Sequence, residues 1–156
     1  AAEFDEFISH VEKQPFQNKI KEIKSRSLLI VDDEPDILNA LKRLFRRSGY
    51  QIFTATSALD ALELLGLNSI QVIISDQRMP QMHGSDFLRR VRELYPETVR
   101  IMLSGYTELN ALTNAINDAG IYKFLTKPWE DEDLLEEIRH AFAYYEQMPK
   151  NKLGPS

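Results

Sequence analysis

Short apolar runs alternate with longer stretches of helical period along residues 26–147. The runs are 27–31 SLLIV, 51–54 QIFT, 70–75 IQVIIS, 99–103 VRIML and 121–126 IYKFLT. They are rich in β-branched residues and apolar at successive positions. That pattern predicts strands buried on both faces, as in a parallel sheet. Between them, apolar side chains recur at helical spacing. Ile37, Leu38, Leu41, Leu44 and Phe45 form one stripe, Leu59, Leu62 and Leu65 a second, and Phe87, Leu88, Val91 and Leu94 a third. Leu109, Leu112, Ala115, Ile116 and Ala119 form a fourth, and Leu134, Ile138 and Phe142 a fifth. Gly49, residues 66–68, Pro96 and Gly120 punctuate the pattern. Acidic residues 130–133 crowd the start of the last helix, where the helix dipole favours negative charge. Five strands alternating with five helices predict a doubly wound α/β sheet.

Residues 1–25 read as an N-terminal extension or linker, and residues 148–156 as a tail. Phe4, Phe7, Ile8 and Val11 have helical spacing, Pro15 interrupts it, and Phe16, Ile20 and Ile23 resume it. This predicts two short amphipathic helices, suited to self-association. The terminal AAEF and KLGPS are read as remnants of cloning. FISHVEKQPF resembles a kinase phospho-acceptor histidine box only in part. His10 lacks the acidic residue directly after it, and a solvated helix face accounts for it better.

Composition narrows the function. The 156 residues are 43% hydrophobic and 28% charged, with net charge −5, which disfavours direct binding to nucleic acid or a membrane surface. Cysteine is absent, so neither disulfides nor cysteine metal sites enter. No apolar run approaches the ~20 residues of a membrane span, and no signal peptide is recognisable. A cytoplasmic location is expected.

The candidate chemistry lies at the carboxyl ends of the strands, where open parallel sheets gather ligands. Asp32 and Asp33 follow the first run, Asp76 the third, Ser104 the fourth and Lys127 the fifth. Any one of them is unremarkable: an Asp after a strand is commonly a cap, and Lys-Pro a turn. Together they bring three carboxylates, a hydroxyl and an ammonium to one edge. Three carboxylates at close range need a cation, and all-oxygen ligands favour Mg²⁺, or Mn²⁺, over zinc. Lys127 and Ser104 are placed to meet phosphate oxygens, and Asp76 is the candidate nucleophile.

The segments LLIVDDEPDIL, VIISDQRMPQMHGSDFL, RIMLSGYT and YKFLTKPW together resemble a response-regulator receiver domain over about residues 26–146. The resemblance implies a flavodoxin-like sheet of order 2-1-3-4-5. It implies Mg²⁺-dependent transfer of a phosphoryl group from a histidine kinase to Asp76. Asp33 and Asp76 would ligate the metal through side chains, Arg78 through its carbonyl, and Asp32 mainly through a water. Ser104 and Lys127 would bind the phosphoryl group, and Lys127-Pro128 would be cis. Ser104 and Phe124 would form the switch, acting on the surface of the fourth helix, fifth strand and fifth helix. That face, or the N-terminal helices, would support a homodimer. Phe124 lacks the hydroxyl of the commoner tyrosine, which makes its inward position drier. Arg78 and Tyr106 would modulate phosphoryl lifetime, and their bulk predicts slow self-dephosphorylation. Such a domain catalyses its own modification yet serves signalling rather than metabolism. Its partner would be an output domain or a downstream protein. The sequence leans toward receivers attached to HD-type phosphohydrolase or hydrogenase-regulator outputs. A haloacid-dehalogenase-like phosphatase would want Asp-x-Asp after the first strand, where this chain has Asp-Asp-Glu. No G-x-G-x-x-G for a dinucleotide follows that strand. The remaining alternative is a pseudo-receiver used only for protein binding, against which the complete residue set argues.

Overall fold

The structure is a computed structural model, and it describes residues 25–105, 108 and 118–149. Five parallel strands form one sheet of order β2-β1-β3-β4-β5. The strands are β1 (Ser27–Val31), β2 (Gln51–Ala55), β3 (Val72–Ser75), β4 (Val99–Gly105) and β5 (Lys123–Lys127). Four helices are described: α1 (Pro35–Leu44), α2 (Ala58–Leu67), α3 (Gly84–Leu94) and α4 (Asp131–Gln147). A short 3-10 turn over Arg46–Ser48 ends at Gly49, whose φ of 81° is the left-handed conformation a glycine adopts without strain. The helix expected around Leu109–Ala119 lies mostly outside the described residues, as does the N-terminal extension. No described helix is long and apolar enough to cross a membrane.

Alternation of side chains along the strands makes two cores. Leu28 and Ile30 of β1, Val72 and Ile74 of β3, and Ile101 and Leu103 of β4 face one side. There they meet Leu38, Leu41 and Phe45 with Leu134, Ile138 and Phe142. Leu29, Val31, Ile73 and Met102 face the other side and meet Ala58, Ala61, Leu65, Phe87, Leu88 and Val91. Burying each large apolar side chain contributes about 1.5–3 kcal/mol, so both faces of the central strands drive folding.

Two expectations need correcting. Burial on both faces holds for β1 and β3 and nearly throughout β4, whereas β2 and β5 are partly exposed. Those two are the edges of the sheet, so each has one neighbouring strand. In α2 the inward stripe is Ala58, Ala61 and Leu65, while Leu59 is 59% exposed. Alanines let that helix lie close to the sheet and turn Leu59 outward. Leu94, at the last turn of α3, is exposed for the same reason of phase.

Candidate functional site

The chain turns sharply at the end of β1. Asp32 is buried, and its Oδ1 accepts the backbone N–H of Glu34 at 2.9 Å. Pro35 occupies the first turn of α1, where its missing N–H costs nothing. Asp33 is exposed beside it. Thus one carboxylate of the pair is fixed in the protein and the other faces solvent.

Asp76 follows β3 and is 6% exposed. Its Oδ1 accepts two hydrogen bonds: from the Ser104 hydroxyl at 2.8 Å and from the backbone N–H of Gln77 at 2.8 Å. The loop after it is held against the start of α3. Gln77 Oε1 accepts the Ser85 N–H at 2.7 Å, and the Gly84 N–H donates to the Gln77 carbonyl at 2.9 Å. A side chain at position 84 would overlap the carbonyl of Asp76. Gly84 is therefore what lets α3 approach the backbone of Asp76. Sequence reasoning missed both Gln77 and Gly84. The available signal was a glycine just before an apolar helix, which by itself also fits an ordinary helix start.

Lys127 joins the acidic groups. Its ammonium is 2.7 Å from Asp32 Oδ2 and 3.4 Å from Asp76 Oδ2. Ser104 and Lys127 were expected just beyond their strands. Instead both lie within strands, because the ladder continues through Ser104↔Thr126 and Gly105↔Lys127. That pairing holds the hydroxyl and the ammonium on neighbouring strands. The Lys127-Pro128 peptide is cis. Trp129 is partly buried, with its indole N–H donating to Asp131 at 3.0 Å.

Burial raises the Asp32 pKa above the ordinary carboxylate value; Lys127 and the Glu34 N–H offset it in part, and Asp76 adds to it. Burial alone would lower the Lys127 pKa, yet Asp32 and Asp76 together raise it. The ammonium thus stays charged between two carboxylates.

Asp32, Asp33 and Asp76 each offer an oxygen within 4.8 Å of the other two. With Lys127 counted, this group retains an excess of negative charge when ionised. An all-oxygen donor set, open to water at Asp33, fits a hard divalent cation. The exposed guanidinium of Arg78 is 3.7 Å from Glu108. Phe124 is partly buried against the α2–α3 core. Tyr106 lies outside the described residues.

The family model for the response regulator receiver domain matches residues 28–139. The hydrogenase transcriptional regulatory protein HoxA of Bradyrhizobium diazoefficiens is 40% identical over 119 residues, which are 76% of this chain and 24% of HoxA. This chain thus spans about a quarter of such relatives. Among solved structures, the signal receiver domain of an HD domain-containing protein from Pseudomonas fluorescens Pf-5 matches with a TM-score of 0.76 and 35% identity. The match covers 80% of this chain and 99% of that one. The beryllofluoride-activated NtrC4 receiver domain dimer matches at TM-score 0.70 and 33% identity, over 76% of this chain and 98% of that one.

Proposed function

The chain belongs to the response-regulator receiver domain family, and from that membership we propose that it accepts a phosphoryl group on Asp76 from a histidine kinase in a Mg²⁺-dependent step. The observation that carries the reading is the convergence on Asp76 of Ser104 and Lys127, from two different strands, beside Asp32 and Asp33. A protein-binding module would have no need of that arrangement, and it would leave three carboxylates crowded without purpose.

Asp32, Asp33 and Asp76, with the carbonyl of Arg78, would hold the metal. Bound there, Mg²⁺ neutralises charge on the phosphoryl oxygens. A carboxylate oxygen of Asp76 attacks phosphorus, and the bond from phosphorus to the donor imidazole nitrogen breaks, its electron pair returning to nitrogen. Lys127 meets one phosphoryl oxygen as a point charge. The Ser104 hydroxyl, now donated to Asp76, turns to another. That movement vacates space for Phe124, and the surface around β5 and α4 shifts with it. Arg78 and Tyr106 slow hydrolysis, so phosphorylated protein persists for hours rather than seconds. Its partners are a kinase and an output domain or downstream protein, and the module resides in the cytoplasm. HoxA is a transcriptional regulatory protein by name; nucleic-acid contact in such a system falls to another domain. The receiver occupies residues 26–147, and a homodimer through the β5–α4 side or the N-terminal segment carries the signal onward.

Intact mass after incubation with acetyl phosphate and Mg²⁺ tests the proposal. Wild type gains one phosphoryl group, and Asp76→Asn gains none. No mass gain by wild type, with no Mg²⁺ effect on Trp129 fluorescence, would favour the pseudo-receiver.

A further inference from the structure

Glu108 takes no part in the reading above, yet it reaches the rim of the same site. Its Oε1 is 3.7 Å from the Arg78 guanidinium. Its Oε2 lies over Gly105, where an added Cβ would come within 2.5 Å of it. Position 105 directly follows Ser104, and position 78 is two residues beyond Asp76. The pair therefore bridges the two chain segments that carry the hydroxyl and the nucleophile.

The two partners differ in freedom. The Glu108 side chain is 27% exposed and seated over a glycine, whereas the Arg78 side chain is 82% exposed. Arginine is the one free to move. We propose that Glu108 is a positioning residue that holds the Arg78 side chain at the rim and yields it to the phosphoryl group on Asp76. This rests on the phosphoacceptor reading. A guanidinium binds a phosphoryl dianion through two parallel N–H bonds, better than a single carboxylate held at 3.7 Å. The same dianion repels Glu108. Phosphorylation thus exchanges one partner of Arg78 for another, and Glu108 weakens the phosphorylated state by competing for the guanidinium.

Beryllofluoride, a stable phosphoryl mimic, gives the test. It is titrated with Mg²⁺ into the full chain, with Trp129 fluorescence as readout. Wild type, Glu108→Gln, Arg78→Gln and the double variant are compared. Glu108→Gln binds roughly two- to fivefold more tightly, the scale of an exposed ion pair. Arg78→Gln binds more weakly than wild type. In the Arg78→Gln background, Glu108→Gln gives a smaller gain, because the competition is gone and only the direct repulsion remains. An equal gain in both backgrounds would show that Glu108 acts only through its own charge and would overturn the proposal. So would unchanged or weaker binding by Glu108→Gln while wild type binds normally. Absence of binding by wild type would overturn the phosphoacceptor reading as well.

Discussion

The Ser104 hydroxyl donates to Asp76 Oδ1 across 2.8 Å, tying β4 to the end of β3. The same oxygen accepts the Gln77 N–H. This contact joins the proposed phosphoacceptor to the residue proposed to sense its modification. Ser104→Ala leaves Oδ1 with the Gln77 donor and costs about 1 kcal/mol of stability. Phosphorylation of Asp76 persists in this variant, but the transmitted change is lost. Urea unfolding measures the first effect. Intact mass, set against the acetyl-phosphate response of Trp129 fluorescence, measures the second.

Lys127→Met removes the only described ion-pair partner of Asp32. Asp32 is 2% exposed, so its charge loses compensation in a buried place. Breaking a fully buried pair costs 3–5 kcal/mol; with a partly exposed lysine, about 2 kcal/mol is expected. Mg²⁺ recovers part of the loss, since it replaces the missing positive charge. Thermal unfolding with and without Mg²⁺ reads this. Phosphorylation slows by at least about tenfold, as expected for loss of a preorganised charge that binds the transferring group.

With Mg²⁺ held as proposed, its affinity is expected to depend on pH through Asp32. Its pKa is raised in the folded state by burial. In the metal-free domain, the stability tied to that shift is present below the unfolded carboxylate pKa of about 4 and is lost as pH rises through the folded value. Metal binding opposes this, because it requires the ionised carboxylate. Mg²⁺ affinity therefore falls on acidification beginning above pH ~4, earlier than an ordinary carboxylate would dictate. Titrations of Trp129 fluorescence with Mg²⁺ from neutral to mildly acidic pH follow the effect, and Asp32→Asn weakens binding and flattens the dependence.

Gly84→Ala is destabilising even though alanine favours helix by about 1 kcal/mol. Its methyl group would collide with the Asp76 carbonyl, and the Asp76 carbonyl carbon and Gln77 Cα would each lie 2.9 Å away. All three are backbone atoms, which cannot turn aside as a side chain would. The expected loss is about 2–3 kcal/mol, with slower phosphorylation because the Asp76 loop is displaced. Chemical denaturation and the time course of acetyl-phosphate labelling test both parts. A stability equal to or above wild type would refute the close-approach argument.

By itself, the sequence determined the alternation of strands and helices, the doubly wound class, and the residue types carried to one edge of the sheet. Those features are local: a continuous apolar run, a stripe at helical spacing, a carboxylate, hydroxyl or ammonium after four of the five runs. Pro35 at the start of α1 and the acidic first turn of α4 were legible for the same reason. Proximity was not. Asp32 and Lys127 are 95 residues apart in sequence and 2.7 Å apart in space. Only the pairing of β1 with β3, β3 with β4 and β4 with β5 brings those ends together. Helical phase was also hidden, because Leu59 fits a stripe that packing assigns to Ala58 and Ala61. Gly84 against Asp76, and Glu108 over Gly105 beside Arg78, depend on how closely separate segments approach. Periodicity is written residue by residue, whereas distance between strand ends is decided by long-range pairing and by which backbones can touch.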